Sequence, residues 1–152
     1  MQNQQIPVQP QGQPQPADNT ANQSAQLEKN GGKLLIIEDD ELLVKMYSTK
    51  CSMEGFEVDN ALDGQQALEK LEKNDYSIIL LDLMLPKVDG FEILEKLRAS
   101  SWPNAKKPVV VFSNLGQQTD IDRAKKLGAN DYLVKANLTP NQVVEKIKEH
   151  LK

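Results

Sequence analysis

The sequence predicts an α/β domain built on a parallel sheet with helices on both faces. Apolar runs alternate with amphipathic stretches five times between residues 33 and 152. Two of these runs, 77–82 and 108–113, are apolar along nearly their whole length, which is typical of strands that are covered on both faces. Because strands that alternate with helices pair in parallel, we expect five βα units in a doubly wound sheet.

The predicted helices carry recognisable start and stop signals. Asp63 and Asp89 each precede a glycine at the start of an amphipathic stretch, and Thr139 precedes a proline, a favourable combination for a helix N-cap and first turn. Gly55 and Gly128 follow the first and fourth helical stretches, where glycine commonly ends a helix. The five predicted strands cover residues 33–37, 56–58, 77–82, 108–113 and 132–134.

Residues 1–32 are predicted to be a disordered Gln/Asn/Pro-rich tail, and residues 33–152 a single folded domain. Among the first 30 residues nine are Gln, four are Asn and four are Pro, and the only charged residues are Asp18, Glu28 and Lys29. Large apolar side chains are too few to offset an ordering entropy of about 1–2 kcal/mol per residue. We expect a solvated tail, and the composition leaves open an arm that binds a partner.

Several classes of protein are excluded by composition. One cysteine, Cys51, rules out an internal disulfide, and one histidine, His150, rules out a histidine-rich metal site. No apolar run approaches the length of about 18 residues that a membrane span requires, and the N-terminus lacks the basic and apolar regions of a secretory signal. A net charge of −4 argues against direct nucleic-acid binding. We therefore expect a cytoplasmic protein.

Polar side chains follow four of the predicted strands. They are Glu38, Asp39 and Asp40 after the first strand, Asp82 after the third, Ser113 and Asn114 at the end of the fourth, and Lys135 after the fifth. Functional sites of open parallel sheets lie at the carboxyl ends of the strands, so these groups should converge. The sequence therefore predicts a cluster of carboxylates with one hydroxyl and one ammonium group.

This cluster suits a divalent cation and phosphate chemistry. Neighbouring carboxylates would repel one another, and an all-oxygen set of ligands selects a hard ion such as Mg²⁺. A metal, a lysine and a hydroxyl around one carboxylate can support phosphoryl transfer to that carboxylate. In this interpretation one carboxylate attacks phosphorus, while Lys135 and the metal neutralise the phosphoryl oxygens and Ser113 donates a hydrogen bond to one of them.

Four segments, taken in order, resemble the receiver domain of bacterial two-component response regulators. They are residues 34–40 (Leu-Leu-Ile-Ile-Glu-Asp-Asp), 80–90 (Leu-Leu-Asp-Leu-Met-Leu-Pro-Lys-Val-Asp-Gly), 110–114 (Val-Val-Phe-Ser-Asn) and 128–135 (Gly-Ala-Asn-Asp-Tyr-Leu-Val-Lys). The resemblance implies a flavodoxin-like fold with strand order 2-1-3-4-5. With no output domain after the fifth helix, the chain is similar to a stand-alone, chemotaxis-type receiver.

The resemblance also implies roles for individual residues. Asp82 would be the phosphoacceptor, and Ser113 and Lys135 would contact the phosphoryl group. The implied Mg²⁺ ligands are Glu38, Asp39, Asp82 and the backbone carbonyl of Met84. Tyr132 would be an aromatic switch residue. The implied partners are a sensor histidine kinase or phosphotransfer protein and a downstream protein that binds the face of the fourth helix, fifth strand and fifth helix, with no nucleic acid or membrane involved.

One departure from the family pattern and three alternatives accompany this hypothesis. Ala136 follows Lys135 where the family usually has a proline after a cis bond, which leaves the state of the 135–136 bond open. An aspartyl-phosphate hydrolase would need an acid at Met84, and a flavin carrier would need a phosphate-binding loop in place of Glu38 to Asp40. The remaining alternative is a pseudo-receiver that binds partners without phosphorylation. The chain is expected to be a signalling module, not an enzyme with a separate substrate.

Overall fold

The computed structural model describes residues 31–152, in which five strands alternate with five helices. Residues 1–30 lie outside this range, so the predicted disorder of the tail and the domain boundary stay predictions. The strands are β1 (Gly32–Ile37), β2 (Phe56–Ala61), β3 (Ile78–Leu81), β4 (Val109–Ser113) and β5 (Asp131–Val134), and the helices are α1 (Glu41–Met53), α2 (Gly64–Lys73), α3 (Gly90–Ala99), α4 (Gln118–Lys126) and α5 (Pro140–Glu149).

The strands form one parallel sheet in the order β2-β1-β3-β4-β5, which confirms the predicted fold class and strand order. Successive side chains of each strand point to opposite faces, so the core has two sides. Leu34 and Ile36 of β1 pack on the side of α1 and α5, whereas Leu35 and Ile37 pack on the side of α2 and α3. The helices of residues 31–152 are all too short or too polar to cross a membrane.

Most helices begin where the sequence predicts, and the side-chain caps explain why. Asp63 accepts a hydrogen bond from the backbone N–H of Gln66, and Asp89 caps α3 in the same way. Thr139 and Gln142 form a reciprocal capping box before α5. These contacts satisfy backbone donors that a helix leaves free at its first turn.

Strand β2 is longer than predicted. The expected strand ended at residue 58, but pairing with β1 continues to Ala61. Asp59 and Asn60 are polar, so the apolar pattern did not predict this extension. Lys70 of α2 stabilises both residues, since its Nζ lies 2.7 Å from Asp59 Oδ1 and from the carbonyl oxygen of Asn60. A strand at the edge of a sheet can carry such residues because one side of it borders solvent.

A second group of polar residues joins the loops at the amino ends of β3, β4 and β5, and we call it the amino-end network. Asn104 is fully buried and accepts from the N–H of Tyr76 at 2.8 Å while donating to the carbonyls of Leu71 and Asn74. The guanidinium of Arg98 donates to three backbone carbonyls and to Asn130. Those three carbonyls belong to Ala105, Lys107 and Gly128.

Candidate functional site

The carboxyl end of the sheet brings the predicted polar residues together. Glu38 directly follows β1, Asp82 follows β3, Ser113 ends β4 and Lys135 follows β5. Because the four strands are parallel neighbours, their carboxyl ends lie along one edge. Glu38, Asp82 and Ser113 are buried there, with 4%, 6% and 0% of their surface exposed.

Three carboxylates form the centre of the site. Glu38, Asp39 and Asp82 each offer an oxygen, and these oxygens lie within 4.8 Å of one another. Asp39 is exposed while the other two are buried, so the cluster opens to solvent on one side. An all-oxygen set of this kind fits a hard divalent cation that keeps several of its waters.

Lys135 lies between the two buried carboxylates. Its Nζ forms an ion pair with Glu38 Oε1 and another with Asp82 Oδ2, the latter at 3.0 Å. Burial raises the pKa of Glu38, and the charge of Asp82 adds to that effect, while Lys135 opposes it. Burial alone would lower the pKa of Lys135, but the bonds to both carboxylates raise it overall. Lys135 is therefore held as a cation that balances two acids.

The direct pairing of Lys135 with Glu38 was not predicted. The two residues are 97 positions apart, and no spacing rule links them. What the sequence did contain was the placement of both residues at strand ends on the same edge of the sheet. Strands β1 and β5 are separated by β3 and β4, so the long side chain of Lys135 reaches Glu38 across the ends of these two strands.

Backbone N–H groups orient the two buried carboxylates. The N–H of Met84 donates to Asp82 Oδ1 at 3.2 Å, and the N–H of Asp40 donates to Glu38 Oε2 at 3.1 Å. The first bond turns the backbone of Met84 toward Asp82. Asp40 itself points elsewhere, since its side chain caps α1 by accepting from the N–H groups of Leu42 and Leu43.

The loop from Leu83 to Asp89 is fixed by two close backbone approaches. A Cβ atom at Gly90 would lie 2.5 Å from the carbonyl oxygen of Asp82, and one at Gly64 would lie 2.0 Å from that of Val88. Any larger residue at either position would displace the backbone of the loop. The glycine after Asp89 therefore shapes the site as well as starting α3.

Ser113 and Tyr132 meet through the backbone of Leu115. Ser113 Oγ accepts from the N–H of Leu115 at 3.3 Å, and the hydroxyl of half-buried Tyr132 donates to the carbonyl of Leu115. Both bonds hold the start of the loop between β4 and α4. This link was not visible in the sequence, where only the hydroxyl and the aromatic ring could be recognised as candidates.

The bond between Lys135 and Ala136 is trans, since residues 31–152 contain no cis peptide bond. This settles the question that the missing proline had left open. The chain turns after Lys135 through a short 3₁₀ segment, Lys135–Asn137, and this turn leads into the cap of α5.

An open groove of about 540 Å³ adjoins the carboxylates. Met84, Phe91, Leu115 and Arg123 line it next to Asp39. The guanidinium carbon of Arg123 lies 4.0 Å from the centre of the Phe91 ring. The groove beside Asp39 is therefore lined by both apolar and charged side chains.

Comparison with known proteins agrees with this arrangement of strands and acids. Residues 34–148 match the model of the response regulator receiver domain. The chain belongs to this family. Receiver domains are signalling modules of two-component systems that bind Mg²⁺ at an acidic pocket and interact with histidine kinases and downstream targets. The resemblance stated from the four sequence segments is thereby confirmed.

Individual relatives extend the comparison. The transcriptional regulatory protein SrrA of Staphylococcus aureus is 33% identical over 120 residues, which cover 79% of this chain and 48% of SrrA, so the chain spans about half the length of that relative. A Francisella response regulator 1452 receiver domain is 28% identical with a TM-score of 0.73, covering 79% of this chain and 96% of that one. The phosphorylated cyanobacterial phytochrome response regulator RcpA is 27% identical with a TM-score of 0.67, covering 78% and 89%.

Proposed function

We propose that this receiver accepts a phosphoryl group on Asp82, with Mg²⁺ as the required ion. The observation that carries the proposal is the position of the Asp82 carboxylate, 3.0 Å from the Lys135 ammonium and beside the carboxylates of Glu38 and Asp39. The structure of phosphorylated RcpA has the same fold, which supports this proposal. The donor is a phosphohistidine of a sensor histidine kinase or of a phosphotransfer protein.

The transfer is a substitution at phosphorus. An oxygen of Asp82 forms the new O–P bond, the P–N bond of the phosphohistidine breaks, and its electron pair returns to the imidazole ring. Glu38, Asp39, Asp82 and the carbonyl of Met84 would hold Mg²⁺, which would supply positive charge to the phosphoryl oxygens. Lys135 neutralises a further phosphoryl oxygen, which is the main way that proteins assist phosphoryl transfer.

Ser113 and Tyr132 connect this event to the protein surface. In the proposed phosphorylated state the Ser113 hydroxyl donates to a phosphoryl oxygen, which changes its contact with the N–H of Leu115. Tyr132 is bonded to the carbonyl of the same residue, so its ring is affected too. The proposed output surface is the face of α4, β5 and α5, which binds a downstream protein and not nucleic acid or a membrane.

The proposed role is that of a switch that catalyses its own phosphorylation and a slow dephosphorylation, with no separate substrate to turn over. We place it in the cytoplasm, where a kinase would supply the phosphoryl group. We assign this function to the domain predicted for residues 33–152, whose first strand begins at Gly32. A pseudo-receiver that binds partners without phosphorylation is the second candidate, and the complete set of acids, hydroxyl and lysine argues against it.

The proposal is tested by incubating the full chain with Mg²⁺ and a small-molecule phosphodonor and measuring the intact mass. We expect one phosphoryl adduct in the unmodified chain and none in Asp82→Asn. Asp63→Asn is a matched control, because asparagine caps a helix as well as aspartate does and Asp63 contacts Gln66 and Lys87 but is not one of the three carboxylates. An adduct that persists in Asp82→Asn, or that forms equally well in EDTA, would overturn the assignment.

A further inference from the structure

Helix α1 is apolar on two opposite sides. Val44, Tyr47 and Cys51 are buried against the sheet. Leu42 and Met53 project from the other side with 80% and 70% of their surface exposed. A helix that packs on a sheet along one side normally keeps its outer side polar, so the outer side of α1 departs from the usual pattern.

The outer apolar residues form a continuous stripe. At about 100° per residue, Leu42, Met46, Thr49 and Met53 lie within roughly 60° of one another around the helix axis. We call these four residues the α1 stripe. Lys45 and Lys50 flank it, and together they line a shallow groove of about 420 Å³. Within residues 31–152, three of the four large hydrophobic side chains that are exposed belong to this stripe.

The N-terminal segment joins the domain beside one end of the α1 stripe. The N–H of Gly31 donates to the carbonyl of Gly55 at 2.7 Å, and Gly55 lies two residues beyond Met53. Thirty residues precede Gly31. The stripe is about 16 Å long at 1.5 Å per residue, while a flexible segment of 23 residues spans about 26 Å on average. Residues near the N-terminus, such as 6–8, are therefore far enough from Gly31 along the chain to reach the whole stripe.

We propose that residues 6–8, Ile6-Pro7-Val8, dock on the α1 stripe of the same chain. They hold the only pair of large branched apolar residues in the first 30 positions. Pro7 between them favours an extended backbone and so reduces the entropy lost on docking. Residues 1–17 carry no charged side chain, so the segment brings no charged side chain next to Lys45 and Lys50.

The tether makes such a small contact effective. Two apolar side chains bind weakly as a free peptide, but attachment to the same chain raises their effective concentration to the millimolar range. A contact with a dissociation constant of about 1 mM is then occupied roughly half of the time. A partner protein that covers α1 would have to displace residues 6–8, which makes the segment an internal competitor for that surface.

Methionine methyl resonances provide a direct test in the full chain. Met46 and Met53 lie on the stripe, whereas Met84 is exposed in the groove beside Asp82 and serves as an internal reference. We expect the double variant Ile6→Asn with Val8→Asn to shift the methyl signals of Met46 and Met53 and to leave that of Met84 in place. The matched control, Gln9→Asn with Gln11→Asn, should shift none of them. Unmoved stripe signals, or an equal shift at Met84, would overturn the proposal.

A nitroxide label decides which molecule supplies the segment. The label is attached at Asn3→Cys, and native Cys51 does not compete because it is fully buried and burial raises its pKa to about 11. We expect the relaxation rate of the Met46 and Met53 methyls to rise at least twofold more than that of Met84, and Leu42→Gln to reduce this effect. If the broadening instead appears when labelled chains are mixed with isotope-enriched unlabelled chains, the occupant is a second copy and the proposal is wrong.

Discussion

The polar side chains at the two ends of the sheet differ in how completely they are paired. At the amino end, the side-chain amide of Asn104 has both its oxygen and its nitrogen hydrogen-bonded, and Arg98 donates to four acceptors. At the carboxyl end, Glu38 and Asp82 share one cation, Lys135, and a third carboxylate lies beside them. The amino end is satisfied by the chain itself, while the carboxyl end holds an excess of negative charge.

Two pKa shifts show a related difference between Asp59 of β2, which contacts Tyr76 beside the amino-end network, and Glu38 at the carboxyl end. Burial acts to raise the pKa of Asp59, yet hydrogen bonds from Lys70 and Tyr76 outweigh it and the pKa is lowered. Burial also raises the pKa of Glu38, and there the opposing contacts with Lys135 do not outweigh it. The comparison teaches that one region stabilises the fold and the other is arranged to gain stability from a bound cation.

The largest expected effect is on the amino-end network. Arg98→Met keeps much of the side-chain volume but removes the donors to the carbonyls of Ala105, Lys107 and Gly128. Leaving such groups without partners should lower the free energy of unfolding by about 3 kcal/mol. Urea denaturation followed by circular dichroism measures this change.

Arg123→Met is the control for that experiment. Within residues 31–152, the Arg123 side chain contacts the Phe91 ring and donates to no backbone carbonyl. Its loss should lower the free energy of unfolding by less than about 1 kcal/mol. Equal destabilisation by the two substitutions would show that the amino-end network is not a distinct source of stability.

The second prediction concerns the lifetime of the phosphorylated state at the carboxyl end. Met84 and Leu115 line the groove beside the carboxylates, and neither side chain can orient or deprotonate a water. We therefore expect the acyl phosphate to last for minutes or longer. Met84→Asn with Leu115→Glu should speed its hydrolysis at least tenfold, which corresponds to a barrier lower by about 1.4 kcal/mol.

Decay of the phosphorylated species after donor removal, in Mg²⁺, provides the measurement. Met53→Asn with Leu42→Glu introduces the same side chains on the outer side of α1 and should leave the decay unchanged. Decay of the unmodified chain within seconds, or no acceleration in the variant at Met84 and Leu115, would contradict the expectation.

The stability of Asp82→Asn tests whether the carboxyl end carries an excess of negative charge. The substitution removes one of two buried like charges and leaves Lys135 paired with Glu38. Without Mg²⁺ we expect the free energy of unfolding to rise by about 1 kcal/mol. Added Mg²⁺ should stabilise the unmodified chain more than the variant. Thermal melts with EDTA and with Mg²⁺ compare the two, and a loss of stability in EDTA would mean that the Lys135 pair outweighs the repulsion.

The smallest effect is expected at Tyr76. Its hydroxyl donates to Asp59 Oδ2 at 2.6 Å, and Tyr76→Phe removes this bond while Lys70 still pairs with Asp59, a loss of about 1 kcal/mol or less. The folded protein lowers the pKa of Asp59, so this carboxyl stabilises the protein at pH values above its ordinary pKa of 3.8. The contribution is lost as the pH falls through the pKa of the folded state. The variant should therefore differ from the unmodified chain at pH 7 and converge toward it in acid, as urea titrations at several pH values can show.

The strand order and the location of the site could be predicted because both follow from local patterns. Apolar runs fix where strands form, and a residue that follows a run must lie at the carboxyl edge. Asp82 and Lys135 were found in this way, and the structure brings them to 3.0 Å. Their chemical roles remain proposals, since a pattern of side chains does not demonstrate a reaction.

The amino-end network could not be predicted from the same patterns. Asn104 lies in a polar loop where asparagine usually faces solvent, yet it is fully buried. Arg98 sits in the last turn of a helix, where a basic residue is favoured by the helix dipole and needs no further explanation. Their partners are mainly backbone carbonyls, and every residue has one, so the sequence contains no signal that selects them.

The contacts around Asn60 have a consequence for association between molecules. The carbonyl of Ala61 accepts from the backbone N–H of Glu38, which follows β1, so by alternation the backbone groups of Asn60 face the outer edge of the sheet. There the N–H donates to Asp59 Oδ1 and the carbonyl accepts from Lys70. An incoming strand from another chain would have to break both bonds and approach a fixed lysine. Exposed edges are where sheets polymerise, and at β2 the chain itself occupies the position that the next strand would need.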